Sequence, residues 1–314
     1  MSYKVLVMIK PGEEQPALDR AAEFARFLPD LELVLFRVIT DFDSAQIANL
    51  ETQYQNELKR LLSRYSCVTN SRSIVVFSKD IADAFCQTAA NSSDTFDLAI
   101  ISANKRNTLR DIFVAPIDSK IMKQIKIPLL IVKDAHAPQR LSRAILLALD
   151  VEQLQHNRKI VYALYGAAKI FADNFNGEVH LLNCVPPLNR GKMGGVVKPS
   201  SILMGNSKII SRKDANGAEI ADFADQVHVP LTHCHIAEGR VDDMIPQVCR
   251  ALEARMVCMG CSLKEGVLSA FDENVGPLVL EQIQGDIFIV NDLVDIDSLQ
   301  KHAAEVSPAK SWAH

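Results

Sequence analysis

The sequence lacks a long apolar run and an excess of positive charge, and we expect no leader segment. No apolar run approaches the roughly 20 residues that span a bilayer, so we expect no membrane association. Lysine and arginine number 34 against 38 aspartate and glutamate, giving a net charge of -4, so direct nucleic-acid binding is not expected. The opening, MSYKVLVMIKPGEE, has no cleavage site and begins almost directly with an apolar strand, which argues against a signal peptide.

Cysteine is scattered rather than clustered. The seven cysteines lie mostly within apolar segments, so we interpret them as reduced core residues and not as a disulfide framework. The remaining composition, 48% hydrophobic and 23% charged, is that of an ordinary globular protein. A soluble cytoplasmic protein is predicted.

The chain contains an internal duplication. Residues 97–132 and 255–290 run in register without a gap, and each reads as an apolar strand, a loop, an apolar-periodic helix and a second apolar strand. The loop of the second copy carries Gly260 and Gly266 at positions where the first copy carries serine and threonine. One structural unit was therefore duplicated, and the two copies differ in the loop where a functional site would be expected.

Short apolar strands alternate with longer amphipathic stretches in both halves. Near-continuous Val, Ile and Leu runs indicate strands covered on both faces, as in a parallel sheet. The predicted strands are 3–9, 31–39, 73–77, 97–102, 128–132, 143–149, 178–185, 231–236, 255–260 and 286–290. The predicted helices are 13–28, 43–64, 80–91, 117–125, 153–175, 214–227, 241–253 and 276–284. The alternation predicts βαβ units with right-handed crossovers, and hence an α/β fold.

At 314 residues the chain is long enough for two domains, each with its own core. A polar segment around 133–142 separates a first domain, 1–134, from a second, 141–294. A mobile C-terminal tail is predicted for 295–314. Residues 186–213, rich in Gly, Lys and Arg and without acids, form a long insertion; a functional loop and a flexible linker are both open readings.

Several stretches carry a resemblance to a known family. They are the first-strand openings YKVLVMIKPGEEQPALDRAAEFA and SRAILLALDVEQ, and the segment MGCSLKEGVLSAFDENVGPLVLEQI, 259–283. In the first half, Phe113, Pro116 and Asp118 form a Phe-x-x-Pro-x-Asp element. With these stretches the whole chain resembles the universal stress protein family, and in particular its tandem, E-type branch.

The resemblance implies a specific architecture. Each half would be a Rossmann-like domain of the adenine nucleotide alpha hydrolase type, with a five-stranded parallel sheet of order 3-2-1-4-5. The fifth strands, 128–132 and 286–290, would meet within one chain to form a pseudo-dimer and close both exposed edges. Whether two chains also form a homodimer is left open.

In an open parallel sheet a ligand binds where the strand order reverses, here outside the carboxyl ends of strands one and four. In the second half this point brings Asp150 against Gly260. Nucleotide-binding relatives carry G-x-x-G-x9-G-[ST], and this chain departs from it at Leu263 and Glu273. A glutamate aimed at a polyphosphate adds repulsion where N–H groups are needed.

The candidate nucleotide-binding set is therefore Asp150, Gly260, Gly266 and Asn274, with ATP as the candidate cofactor of the second domain. Gly260 and Gly266 would let the loop approach phosphates, or would be turn glycines only. Asn274 can cap the following helix.

In the first half, Lys10 stands for Asp150 and Ser102 for Gly260, so no flexible phosphate cradle remains. Lys10 and Lys105 are a candidate anion-binding pair that would act by charge alone. The alternative is that both lysines are simply solvated.

The sequence predicts neither a metal site nor a catalytic site. His233 and His235 have the spacing that puts two side chains on one face of a strand, and Cys258 and Cys261 form a C-x-x-C. In the order 3-2-1-4, strands three and four are roughly 14 Å apart, which is too far for zinc bonds of about 2.0–2.3 Å. Each pair alone is short of ligands. No Ser/His/Asp arrangement is present, so no catalytic residue is predicted.

The resemblance implies a role in survival under starvation, oxidative or DNA-damaging stress, through unidentified protein partners. Three kinds of activity remain open at this point. The chain could be a non-enzymatic binding or signalling module, a nucleotide binder or slow ATPase through the second half, or a carrier of an anionic or hydrophobic ligand with 186–213 as a lid.

Overall fold

A computed structural model describes the chain over residues 3–28, 30–103, 116–133, 142–185, 201–204, 208–261 and 282–297. The first half contains β1 Lys4–Met8, α1 Pro16–Ala25, β2 Glu32–Ile39, α2 Ile47–Leu62, β3 Asn70–Phe77, α3 Ile81–Ala89, β4 Leu98–Ser102, α4 Pro116–Gln124 and β5 Leu129–Val132. The second contains β6 Ala144–Leu149, α5 Val151–His156, α6 Arg158–Phe175, β7 Glu178–Val185, β8 Ser201–Met204, β9 Lys208–Ser211, α7 Arg212–Gln226, β10 Cys234–Glu238, α8 Val241–Leu252, β11 Met256–Cys261 and β12 Asp286–Asn291.

Ten of the described strands form one continuous sheet. Their order is β10-β7-β6-β11-β12-β5-β4-β1-β2-β3, so each half has the order 3-2-1-4-5 in its own numbering. Neighbours within each half are parallel. The halves join through β12 and β5, which pair antiparallel with Phe288 opposite Leu130. The predicted α/β class is confirmed, and the two fifth strands meet within the chain.

Two apolar cores, one on each face of the sheet, extend across both halves. On one face, the ring centroids of Phe24 from the first half and Phe171 from the second lie 5.6 Å apart. The opposite core includes Phe36 of the first half and Ile289 of the second. All residues of β12 are buried, which explains why the strands read as unbroken apolar runs.

The main differences between the predicted elements and the structure lie in the second half, where the predicted helix 276–284 also falls mostly outside the described residues. Residues 153–175 form two helices and not one, because the backbone of Asn157 leaves the helical region between α5 and α6. Residues 231–233 form a 3₁₀ turn after Pro230, so the strand predicted from 231 begins at Cys234. The insertion 186–213 is not one loop, since it contains the antiparallel ribbon β8–β9 and the first residues of α7.

The start of α7 has a local cause that the sequence carries. Ser211 is the N-cap, and its hydroxyl accepts a hydrogen bond from the backbone N–H of Asp214 at 3.1 Å. Asp214 also places negative charge in the first helical turn, where the helix dipole favours it. Residues 186–200 and 205–207 of the insertion, and 298–314 of the predicted tail, lie outside the described residues.

A buried ionic network ties the halves together beside the β5–β12 junction. The Nε of Arg20 in α1 donates to the carboxylate of Asp286 in β12 at 2.6 Å. Glu23, one turn further along α1, pairs with Arg20 and accepts from Arg255 Nη2 at 2.6 Å. The Arg255 guanidinium also stacks over the ring of Phe175, 3.5 Å from its centroid. Across the described ranges, no helix is both long and apolar enough to cross a membrane.

Candidate functional site

The structure brings Asp150 and Gly260 to the same end of two neighbouring strands. β6 and β11 run parallel with Ala148 opposite Met259, so Asp150 follows β6 where Gly260 approaches the end of β11. This is the point of order reversal at which open parallel sheets bind ligands. Gly266 and Asn274, the other two members of the predicted set, lie outside the described residues.

Asp150 has a structural role at this point. It is the N-cap of α5, and its carboxylate accepts a hydrogen bond from the backbone N–H of Glu152 at 2.9 Å. Burial raises the pKa of the Asp150 carboxyl, whereas the Glu152 N–H and the charge of Arg212 act to lower it. A half-buried carboxylate in this position can accept hydrogen bonds from hydroxyl or amino groups of a ligand.

Gly260 lies within a strand, so the turn-glycine reading does not apply to it. A Cβ atom at this position would lie 3.0 Å from Leu164 Cδ1 and 3.6 Å from Gln153 Oε1. The absence of a side chain therefore lets α5 and α6 pack closely over the end of β11. Close helix packing is one of the established uses of glycine at switch points.

Two asparagines that were not among the predicted site residues form a hydrogen-bonded pair beside Leu149, the residue before Asp150. Asn183 in β7 is 3% exposed, and its Nδ2 donates to the backbone oxygen of Leu149 at 3.0 Å. Asn216 in α7 donates from Nδ2 to Asn183 Oδ1 at 2.9 Å. The available signal for Asn183 was a polar residue within the apolar run 181–185 of β7. These two side-chain amides add polar groups beside the second-half crevice.

The equivalent crevice of the first half is filled by the chain's own groups. The Ser102 hydroxyl, 2% exposed, accepts a hydrogen bond from the backbone N–H of Ala17 in the first turn of α1 at 2.9 Å. Gln15 is equally buried, and its Nε2 donates to the backbone oxygens of Lys10 and Gly12, each at 2.8 Å. One backbone N–H at the start of α1 is thus already bonded within the chain.

Lys10, a member of the candidate anion pair, already faces a carboxylate. Burial lowers the pKa of the Lys10 ammonium, and the nearby charge of Asp118 partly reverses that effect. Asp118 is 4% exposed and lies in the first turn of α4. Lys105, the other member of the pair, lies outside the described residues.

A cluster that was not predicted lies at the opposite end of the strands, where β7 and β10 begin. We call Glu178, His180, His233 and His235 the histidine cluster. The rings of His180 and His233 stack with centroids 4.2 Å apart, and His180 Nδ1 lies 3.1 Å from His235 Nε2. His233 Nε2 lies 3.5 Å from Glu178 Oε2.

Burial is the main cause of the lowered pKa values of His180 and His235. The pKa of His180 is lowered to about 4, mainly by burial and additionally by the neighbouring His233 and His235. Burial and His233 also lower the pKa of His235. The C-x-x-C strand β11 is three positions from β10 in the sheet, so Cys258 cannot join this cluster.

Comparison with known proteins agrees with the architecture. The chain matches the sequence model described as "Universal stress protein family" over residues 1–133 and 143–290. It is 24% identical to the universal stress protein E homolog of Haemophilus influenzae, over 90% of this chain and 96% of that protein. It is 23% identical to universal stress protein E of Photorhabdus laumondii, over 91% and 94%.

Solved structures show the same fold. A functionally unknown protein of Pseudomonas aeruginosa PAO1 superposes with a TM-score of 0.69 at 19% identity, covering 97% of this chain and 98% of that one. A universal stress protein of Archaeoglobus fulgidus superposes with a TM-score of 0.66 at 13% identity, covering 92% and 98%. These likenesses extend over both halves and their junction.

Proposed function

This chain belongs to the universal stress protein family, in its tandem arrangement, and from that premise we propose that it acts in the cytoplasm as a non-enzymatic binding or signalling module. Membership of the family supports a role in the stress response. The non-enzymatic part of the proposal rests on two observations: the chain's own groups form hydrogen bonds in the first-half crevice, and the second half departs from the phosphate-loop pattern.

The observation that carries the proposal is the bond from Ala17 N–H to the Ser102 hydroxyl. It uses one of the backbone N–H donors at the start of α1, so this donor is not available to an anion in the first half. Gln15 occupies the same region by bonding both the N–H and the oxygen of Lys10. In the second half, Leu263 and Glu273 replace two glycines of the phosphate-loop pattern. Neither half then keeps the full glycine pattern of the phosphate loop.

A complementation experiment tests the proposal. The gene is deleted in the organism that carries it, and survival is measured under starvation, oxidative and DNA-damaging stress. The strain is then complemented with the wild type, with Asp150→Asn, which keeps the helix cap but removes the charge, or with Asp43→Asn. Asp43 is a matched control, because it is an N-cap aspartate of a 3₁₀ turn in the first half and does not belong to the second-half crevice.

If the protein is a non-enzymatic module in the stress response, the deletion strain should survive less well, and the wild type, Asp150→Asn and Asp43→Asn should each restore survival fully. Unchanged survival of the deletion strain would remove the stress-response role. Loss of rescue by Asp150→Asn alone, with the variant folded by circular dichroism, would show that the role depends on the second-half crevice and would favour the nucleotide-binding alternative.

Nucleotide binding by the second half is the alternative function that a specific observation favours. Asp150, Gly260 and the buried Asn183 lie together at the carboxyl ends of β6, β11 and β7. Titration calorimetry with ATP and magnesium, alongside an assay of phosphate release, tests it on the full chain. Gly260→Glu adds a large, negatively charged side chain where the phosphates of ATP would come close to the backbone. Asp150→Asn is a smaller change, because it removes only the charge of the carboxylate. Equal heats for the wild type and both variants would rule out this crevice as a nucleotide site.

A further inference from the structure

The histidine cluster combines ligand types that bind transition metals. One side-chain nitrogen from His180, one from His233 and one carboxylate oxygen from Glu178 lie within 4.8 Å of one another. In a tetrahedral zinc site with bonds of about 2.0–2.1 Å, the ligand atoms are roughly 3.3 Å apart. The Nε2 of His233 and the carboxylate of Glu178 are already close to that separation, at 3.5 Å.

The strands hold these groups in place. Glu178 and His180 are two residues apart in β7 and therefore lie on one face of the sheet. The register sets Cys234 of β10 opposite Leu181, so the 3₁₀ turn just before β10 delivers His233 next to His180. Two ligands thus come from one strand and the third from the start of its neighbour.

The cluster is open enough to receive an ion. The side chain of Glu178 is 70% exposed and that of His233 is 21% exposed. β10 is the outermost strand of the sheet in the second half, so no further described strand covers it. Three protein ligands with an open side are the arrangement of zinc sites that keep a water or ligand position.

His235 supplies a second contact of the kind that orients metal-bound imidazoles. Its Nε2 lies 3.1 Å from His180 Nδ1, so one of the two rings donates a hydrogen bond to the other. With the proton on His180 Nδ1, the Nε2 of His180 keeps its lone pair for a metal ion. This contact would hold the ring and its tautomer before the ion arrives.

We propose that Glu178, His180 and His233 form a binding site for a divalent transition-metal ion, with zinc as the expected occupant. Two imidazoles and one carboxylate match the borderline ligand preference of zinc and do not match magnesium or calcium, which prefer oxygen ligands. The site lies at the amino ends of β7 and β10, whereas the crevice of Asp150 lies at the carboxyl ends of the strands. Metal binding therefore goes beyond the proposed function and stands independently of it.

The test uses the full chain after treatment with a chelator and dialysis. Zinc affinity and stoichiometry are measured by competition with a chromogenic chelator, and the ligand type is read from the absorption spectrum of the cobalt(II) form. The variants are His180→Ala, His233→Ala and Glu178→Gln. His156→Ala is the matched control, because it removes an exposed histidine of the same half that lies outside the cluster.

We expect one zinc ion per chain, a cobalt spectrum without a thiolate charge-transfer band, and unchanged affinity in His156→Ala. His180→Ala and His233→Ala should each weaken zinc binding at least about tenfold, since even loss of an outer-shell partner costs that much. If a histidine variant does not fold, the exposed Glu178→Gln carries the test and should also weaken binding. Absence of zinc binding by the folded wild type, a thiolate spectrum, or wild-type affinity in Glu178→Gln would each overturn the proposal.

Discussion

Arg20 of the first half and Asp286 of the second form an ion pair that is closed to solvent. Arg20 Nε donates to Asp286 Oδ2 at 2.6 Å, and the two side chains are 2% and 1% exposed. The other carboxylate oxygen of Asp286 accepts from the backbone N–H of Lys133 at 3.2 Å. One carboxylate thus binds both a helix and a strand end of the opposite half.

Asp286→Ala should lower the free energy of unfolding by about 3–5 kcal/mol, because it removes the fully buried partner of the Arg20 guanidinium and leaves Arg20 paired only with the more exposed Glu23. Asp173→Ala breaks an exposed pair with Lys169 and is the control, with an expected loss of about 0.5 kcal/mol or less. Urea denaturation followed by circular dichroism measures both. Equal losses in the two variants would contradict the inter-half role of Asp286.

Ser102→Ala should lower the free energy of unfolding by about 1–3 kcal/mol, because the buried N–H of Ala17 loses its acceptor. Ser63→Ala removes an exposed hydrogen bond to the Arg60 oxygen and should change stability by no more than about 0.5 kcal/mol. The same denaturation measurement compares them. A neutral Ser102→Ala would mean that the first-half crevice is not closed by this bond.

Gly285→Ala should be more destabilising than Gly260→Ala. A Cβ atom at Gly285 would lie 2.5 Å from the backbone oxygens of Ala254 and Arg255, which cannot move without shifting β11. At Gly260 the nearest atom is the end of the Leu164 side chain, which can rotate away. We expect losses of about 2–3 kcal/mol and less than about 1 kcal/mol, respectively, by thermal unfolding. The reverse order would show that the backbone near Gly285 yields more easily.

Glu253→Gly should stabilise the protein. Glu253 ends α8 in the left-handed region, with φ 49° and ψ 42°, and its side chain is exposed. Glycine adopts this conformation without the Cβ penalty, so we expect a gain of about 0.5–1 kcal/mol. Glu253→Ala keeps the penalty and serves as the control in the same unfolding experiment. Equal stability of the two variants would argue against strain at this residue.

Buried thiols should resist alkylation in the native protein. Burial raises the pKa of Cys184 to about 12 and that of Cys249 to about 12, and it also raises the pKa of Cys258. The reactive thiolate is therefore scarce near neutral pH. Iodoacetamide labelling followed by peptide mass spectrometry should modify these three cysteines only after denaturation. Labelling of Cys258 at the unfolded rate in the native state would contradict its burial in β11.

Strand positions were predictable because burial acts locally on the sequence. β5 is apolar along its whole length and β12 carries the apolar run 287–290, and both were identified from that pattern alone. The helix break at Asn157 was not predictable in this way, because the surrounding residues continue the amphipathic pattern of α6. The 3₁₀ turn at His233 was missed for a similar reason, since Leu231 and His233 fit an alternating strand.

The sites depend on contacts between distant residues, and this limits what the sequence predicts. Asp150 and Gly260 were paired from the strand order that the family resemblance implies, and the structure places them at neighbouring strand ends. The histidine cluster was missed because His180 and His233 meet only through the register of β7 with β10. Local patterns identify strands but do not specify that register across a parallel pair.

The antiparallel β5–β12 junction has a consequence for synthesis on the ribosome. β5 is complete roughly 150 residues before its partner β12 appears, which at about 5–20 residues per second is an interval on the order of 10–30 s. During that interval the strand Leu129–Val132 is an unpaired apolar edge, able to join the same edge of another nascent chain. The covalent link between the halves favours the correct partner, since it holds β12 at an effective concentration in the millimolar range.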